Sequence, residues 1–145
     1  MLLLRYIFLV WLAAFTLSAC TGSDDAESIS KTQKYYFVES LKTVETAGRQ
    51  LQNPALKADE LKTALANMDE GLKLAFQVKA DFLDQLDPRL SKNYQRYFVK
   101  GIESYRLGIE ARDSAEQQQG LKLLSQWAMF WSEAKQPVNA KLQAP

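Results

Sequence analysis

The sequence predicts an all-α protein, an antiparallel up-down-up-down four-helix bundle standing behind a short apolar leader. Three observations predict it. No stretch alternates apolar and polar residues as a half-buried strand requires. From about residue 30 onward, apolar residues recur at three- and four-residue spacings. Beyond the leader, proline occurs only at 54, 88, 137 and 145, which leaves long segments with nothing to stop a helix.

The first helix is expected from about Ser30 to Gln52, with Phe37, Leu41, Val44, Gly48 and Leu51 on one face and Asn53-Pro54 as its break. The second is expected from about Asp59 to Leu86, carrying Leu61, Leu65, Met68, Leu72, Ala75, Phe82 and Leu86. Asp87-Pro88 supplies an N-cap and a first-turn proline for the third, although a kinked continuous helix through this point is the rival reading. The third helix carries Leu90, Tyr94, Tyr97, Gly101, Tyr105 and Gly108 and fades near Arg112. Ser114-Ala115-Glu116-Gln117 fits a capping box for the fourth. Its apolar face holds Leu121, Leu123, Leu124, Trp127, Ala128, Phe130, Trp131 and Ala134, and Pro137 is expected to end it.

The N-terminus has the order of an export signal: Arg5, then an apolar run from Ile7 to Leu17. The run is short for a membrane span, which needs about 20 apolar residues. An uncleaved anchor helix is the alternative reading. The next residues, Leu17-Ser18-Ala19-Cys20, resemble the bacterial lipobox. The resemblance implies cleavage between Ala19 and Cys20, acylation of the Cys20 thiol and a lipid anchor in the membrane. Residues 1–19 are then a signal peptide, 20–29 the lipidated cysteine with a flexible acidic tether, and 30–145 the helical domain. Thr21 is not the aspartate that marks inner-membrane retention in lipoproteins of enterobacterial type, so the resemblance points to the periplasmic face of the outer membrane.

Composition excludes several chemistries. The residues after Ser23 carry 17 charges of each sign, because Arg5 is the only charged residue before them, so nothing draws the domain to nucleic acid in bulk. Histidine is absent, which removes Ser-His and Cys-His pairs and histidine metal ligands. Cys20 is the only cysteine, and its acylation leaves no thiol for a disulfide, a metal or a nucleophile. Ser28-Ile29-Ser30-Lys31 and Ser132-Glu133-Ala134-Lys135 match a Ser-x-x-Lys pattern without its companion motifs and read as coincidence. Asp69-Glu70 and Glu103/Glu110 are carboxylates on polar helix faces, with Asp69 and Lys73 spaced as an ordinary i,i+4 pair. No catalytic residue, metal site or cofactor is expected, and the protein is not expected to be an enzyme.

Four features are candidates for binding. Apolar residues cover about half the circumference of the fourth helix, more than the roughly 100° stripe of an ordinary surface helix; deep burial is the simple account, and surplus apolar surface around Trp127, Phe130 and Trp131 that receives a partner or an acyl chain is the functional one. Arg89, Lys92, Arg96 and Lys100 form a stripe opposite the apolar face of the third helix. The bland account of that stripe is pairing with Asp84 and Asp87 across the turn; the functional account is docking to an acidic protein or to lipid phosphates. Tyr35 falls opposite the apolar face of the first helix. Gly48, Gly71, Gly101 and Gly108 lie inside helices, where close helix approach is the simple explanation and a groove beside the tyrosines the other.

Taken together these features predict a membrane-anchored, non-enzymatic envelope subunit that works through a protein partner. In size, anchor and helicity it is similar to small helical pilotin lipoproteins of secretion systems, many of which carry a disulfide that a chain with one cysteine cannot form. The competing expectation is a bundle that holds an acyl chain or other apolar ligand among Trp127, Trp131, Tyr97 and Tyr105. A cavity among those side chains favours the ligand, and a filled core favours the partner.

Overall fold

A computed structural model describes residues 21–53 and 55–143, with side chains described from Lys31 onward. The signal peptide, the Ala19/Cys20 junction and lipidation at Cys20 fall outside the described residues, as does Pro54. The chain divides into two units, Met1–Thr32 and Gln33–Pro145. The described part of the first is helical backbone over residues 21–32. The second is the helical domain.

The described residues form five helices and no strand. They are α1, Thr21–Leu51; α2, Ala58–Phe76; α3, Ala80–Leu86; α4, a continuous run made of Leu90–Asn93, Tyr94–Val99 and Lys100–Ala111; and α5, Ser114–Gln143. Helix α1 starts at Thr21 instead of near Ser30, so the backbone is helical where the sequence predicts a tether.

The expected second helix is two helices. It breaks after Phe76, and the break is held by a side chain from α1: Gln33, itself buried, donates to the carbonyl of Gln77 (3.2 Å) and accepts from the N–H of Lys79 (2.6 Å). One amide thus satisfies two backbone groups that the interrupted helix leaves unpaired. Val78 uses the break to enter the core.

The separation of α3 from α4 follows the Asp87-Pro88 reading and sets aside the continuous helix, since Asp87 is extended (φ −153°, ψ 129°). Within α4, Tyr94–Val99 is a π-helical stretch. An α-helix advances about 40° beyond a full turn every four residues, whereas the wider π-turn with its i→i+5 bond lags. The stretch therefore keeps a strict four-residue period on one face: Leu90, Tyr94, Phe98 and Ile102 are all buried. Of the face expected on this helix, Leu90, Tyr94, Gly101 and Gly108 are buried, while Tyr97 and Tyr105 are only half-buried.

Helix α5 departs from expectation at both ends. Its cap is Asp113, not Ser114: the Asp113 carboxylate accepts from the N–H groups of Ala115 (2.9 Å) and Glu116 (3.2 Å). Pro137 does not end it, and the helix continues to Gln143. A proline inside a helix costs about 3 kcal/mol. Burial of Val138 and Leu142 beyond it, with Lys34 and Lys141 bonding to the carbonyls of Leu142 and Gln85, offsets that cost.

Helices α4 and α5 run antiparallel at close range. Gly101 faces Leu124, Tyr105 faces Gly120, and Gly108 faces Gln117. A Cβ at Gly108 or Gly120 would strike the partner helix's backbone. Close approach is thus the reason for Gly101 and Gly108. Gly120 has the same role, while Gly48 has nothing within 4 Å of where its Cβ would be.

Candidate functional site

The candidate surface is built from α4 and the middle of α5. At its start, Asp87 ends the extended link from α3, and its carboxylate accepts the Arg89 backbone N–H at 2.8 Å. The same carboxylate takes the Arg89 side chain in a two-point ion pair, Nε to Oδ1 at 3.2 Å and Nη2 to Oδ2 at 3.0 Å. These hydrogen bonds, the side-chain ones foremost, hold the Asp87 carboxyl below its usual range. The guanidinium of Arg89 also lies over the Phe130 ring, 5.4 Å from its centroid. Pairing across the turn thus accounts for Arg89, as the bland reading of the stripe has it, through Asp87 and not Asp84.

The rest of the stripe follows from the π-stretch. Two positions beyond the buried residues Leu90, Tyr94 and Phe98 stand Lys92, Arg96 and Lys100, all exposed. Because a step of two residues is about half a turn, a face of period four on the buried side produces a row of cations of period four on the outer side. Lys100 reaches Glu103 at 3.4 Å. Arg96 lies 5.4 Å from the centroid of the Tyr97 ring. Among the described residues, Lys92 and Arg96 form no ion pair, and they stand at the centre of the row.

The aromatic candidates separate. Trp127 is 6% exposed and belongs to the core, which corrects its expected place on the partner surface. Its ring stacks on Trp131 (5.5 Å, 13°) and meets Tyr94 at 5.7 Å, Phe98 at 5.2 Å and Phe130 at 5.7 Å. Trp131 in turn packs edge-on against Phe37 at 5.8 Å. Trp131 and Phe130 are half-buried and form the rim of this cluster. Of the apolar residues of α5, Trp127, Phe130 and Trp131 are thus accounted for by this aromatic packing.

Tyr35 is exposed (58%), as its opposite phase predicts, and among the described residues the one aromatic ring it meets is Tyr36. The structure does not bring it to the α4 row. Leu121, expected on the apolar face of α5, is exposed, and so is Met129 at 68%. Sequence reasoning passed over Met129; its offset of about 200° from both Trp127 and Trp131 was the available signal.

The carboxylates that sequence singled out are held in ion pairs. Asp69 turns from Lys73 to Arg106 of α4 at 3.0 Å, Arg106 also holds Glu110 at 2.8 Å, and Lys73 faces Glu70 at 3.9 Å. Among the described residues, no three Asp, Glu, His or Cys side chains group as metal ligands. An open depression of about 520 Å³ lies where α1 gives way to α2, lined by Arg49, Gln50, Asn53, Leu56, Asp59, Glu60 and Thr63. A second of about 360 Å³ runs along Leu61 and Leu65 beside Glu110. Neither is lined by the aromatic cluster or the cation row. What the α4 row can do chemically is attract and orient anionic groups. No family model, curated protein or solved structure matches the chain.

Proposed function

We propose that this chain is a lipid-anchored protein of the bacterial envelope whose helical domain is a non-enzymatic docking subunit for another envelope protein. In this reading residues 1–19 are removed, Cys20 carries the lipid, and the domain stands at the periplasmic face of the outer membrane. Its helices form an up-down-up-down bundle in which α2 and α3 together count as the second. The lipobox-like Leu17-Ser18-Ala19-Cys20 supports the anchor. The observation that carries docking is the exposed row Lys92, Arg96 and Lys100, begun by Arg89 on the half-buried ring of Phe130. Ring-to-ring packing of Trp127 and Trp131 favours a partner over an apolar ligand, because those rings fill the space such a ligand needs.

Two measurements test the reading. Metabolic labelling with an alkyne fatty acid marks the wild type and not Cys20→Ser; a labelled serine variant refutes the anchor. Arg96→Glu with Lys100→Glu leaves the melting curve within about 0.5 kcal/mol of wild type, as exposed changes do. The same pair slows association with a partner recovered from native membranes by crosslinking. Unchanged recovery at low and physiological salt refutes docking through the row.

A further inference from the structure

We infer that the α4 row is shaped for an acidic amphipathic helix of a partner protein, one with carboxylates at every fourth residue beside a line of apolar side chains. This rests on the docking reading and specifies the partner's chemistry. The π-stretch Tyr94–Val99 gives the row a four-residue period, so its cations recur once per turn along the axis. Carboxylates at i, i+4 and i+8 of a second helix also recur once per turn, along a ridge inclined by about 26° to that helix's axis, so such a helix crosses α4 at an angle. A row one residue wide suits such a rod better than a membrane plane, which offers anions in two dimensions. The ends of the row already have acidic neighbours, Asp87 at Arg89 and Glu103 at Lys100, while Lys92 and Arg96 form no ion pair among the described residues. The rings under two of the cations supply the apolar line: Phe130 lies beneath Arg89 and Tyr97 beneath Arg96, both half-buried. The Arg96 guanidinium, 5.4 Å from the Tyr97 centroid and in no ion pair among the described residues, has its edge open for carboxylate oxygens.

The test uses full-length protein in nanodiscs of neutral lipid and two synthetic helical peptides of identical composition. One carries glutamate at every fourth position beside a row of leucines, and the other carries the same residues scattered around the helix. The expected result is that the periodic peptide binds about tenfold more tightly than its isomer, the equivalent of about 1.4 kcal/mol, and slows acetylation of Lys92. Lys92→Glu with Arg96→Glu abolishes that preference, and a periodic peptide with lysine in place of glutamate restores binding to the variant. Equal binding of the two isomers overturns the inference in favour of diffuse charge. Protection of Lys92 on moving to phosphatidylglycerol-rich discs, with no peptide present, overturns it in favour of a lipid surface. If the periodic peptide fails while Arg96→Glu with Lys100→Glu still loses a native partner, the acidic helix is refuted and the docking reading stands.

Discussion

The Tyr94 hydroxyl lies 2.7 Å from the Ser40 hydroxyl, at a place where neither side chain reaches solvent. Ser40 has one hydrogen, and its 2.8 Å bond to the Phe37 carbonyl uses it. Tyr94 is therefore the donor to Ser40. Ser40→Ala strands the tyrosine hydroxyl in the core and is expected to cost about 1–3 kcal/mol. Tyr94→Phe leaves Ser40 bonded to Phe37 and costs about 1 kcal/mol. The double variant loses less than the sum, as urea unfolding curves should report. Burial also pushes the Tyr94 phenol upward in pKa, against the smaller opposing effect of the Ser40 bond, and burial raises Tyr105 as well. A group raised in the folded state binds its proton more tightly there than when unfolded. Its stabilisation is complete below the unfolded value of about 10 and is lost as pH rises from there towards the folded value. Tyr94→Phe should flatten this alkaline loss in melts recorded across that range.

Gln33 joins α1 to the α2–α3 break through both atoms of its amide. Gln33→Leu strands the Gln77 carbonyl and the Lys79 N–H together, an expected loss of about 2–4 kcal/mol. Amide exchange at Lys79 should accelerate before exchange in the middle of α2 does. Gln33→Glu keeps the acceptor for Lys79 but turns a carboxylate oxygen towards a carbonyl. It should be destabilised at neutral pH and partly recover on acidification, when the protonated acid donates again. Unchanged exchange at Lys79 in Gln33→Leu would refute the clasp.

The interior glycines should answer oppositely to alanine. At Gly108 and Gly120 a methyl group meets backbone across the α4–α5 contact, so Gly108→Ala and Gly120→Ala force the helices apart and should cost about 1–3 kcal/mol. At Gly48 nothing lies within 4 Å, and Gly48→Ala should stabilise by about 0.5–1 kcal/mol through helix propensity alone. Thermal melts of the three variants decide it, and a loss at Gly48 would show that the site serves something other than folding.

Helical class, the break at Asp87-Pro88 and exposure of the Arg89–Lys100 stripe were legible in the sequence, because each depends on local chemistry. Periodicity reports helices without regard to partners, Asp-Pro resists helical continuation by its own sterics, and charges keep to water. Other features depended on tertiary contact. Nothing local marks the interruption after Phe76; it exists where Gln33, more than forty positions away, supplies the missing hydrogen bonds. Pro137 reads as a stop, yet burial of Val138 and Leu142 carries the helix past it. Trp127 reads equally well as surface or as core, and only the rings of Tyr94, Phe98 and Trp131 around it decide for the core. The four-residue period of Leu90, Tyr94, Phe98 and Ile102 was written in the sequence, but its consequence was not. A helix of ordinary pitch would have turned that row away from the core by about 120°, and the chain widens to a π-turn because burying all four side chains outweighs the poorer hydrogen-bond geometry. Sequence alone determined which residues carry charge, which are apolar and that Asp87-Pro88 interrupts the helix; packing decided the break after Phe76, the passage through Pro137 and how the cations align.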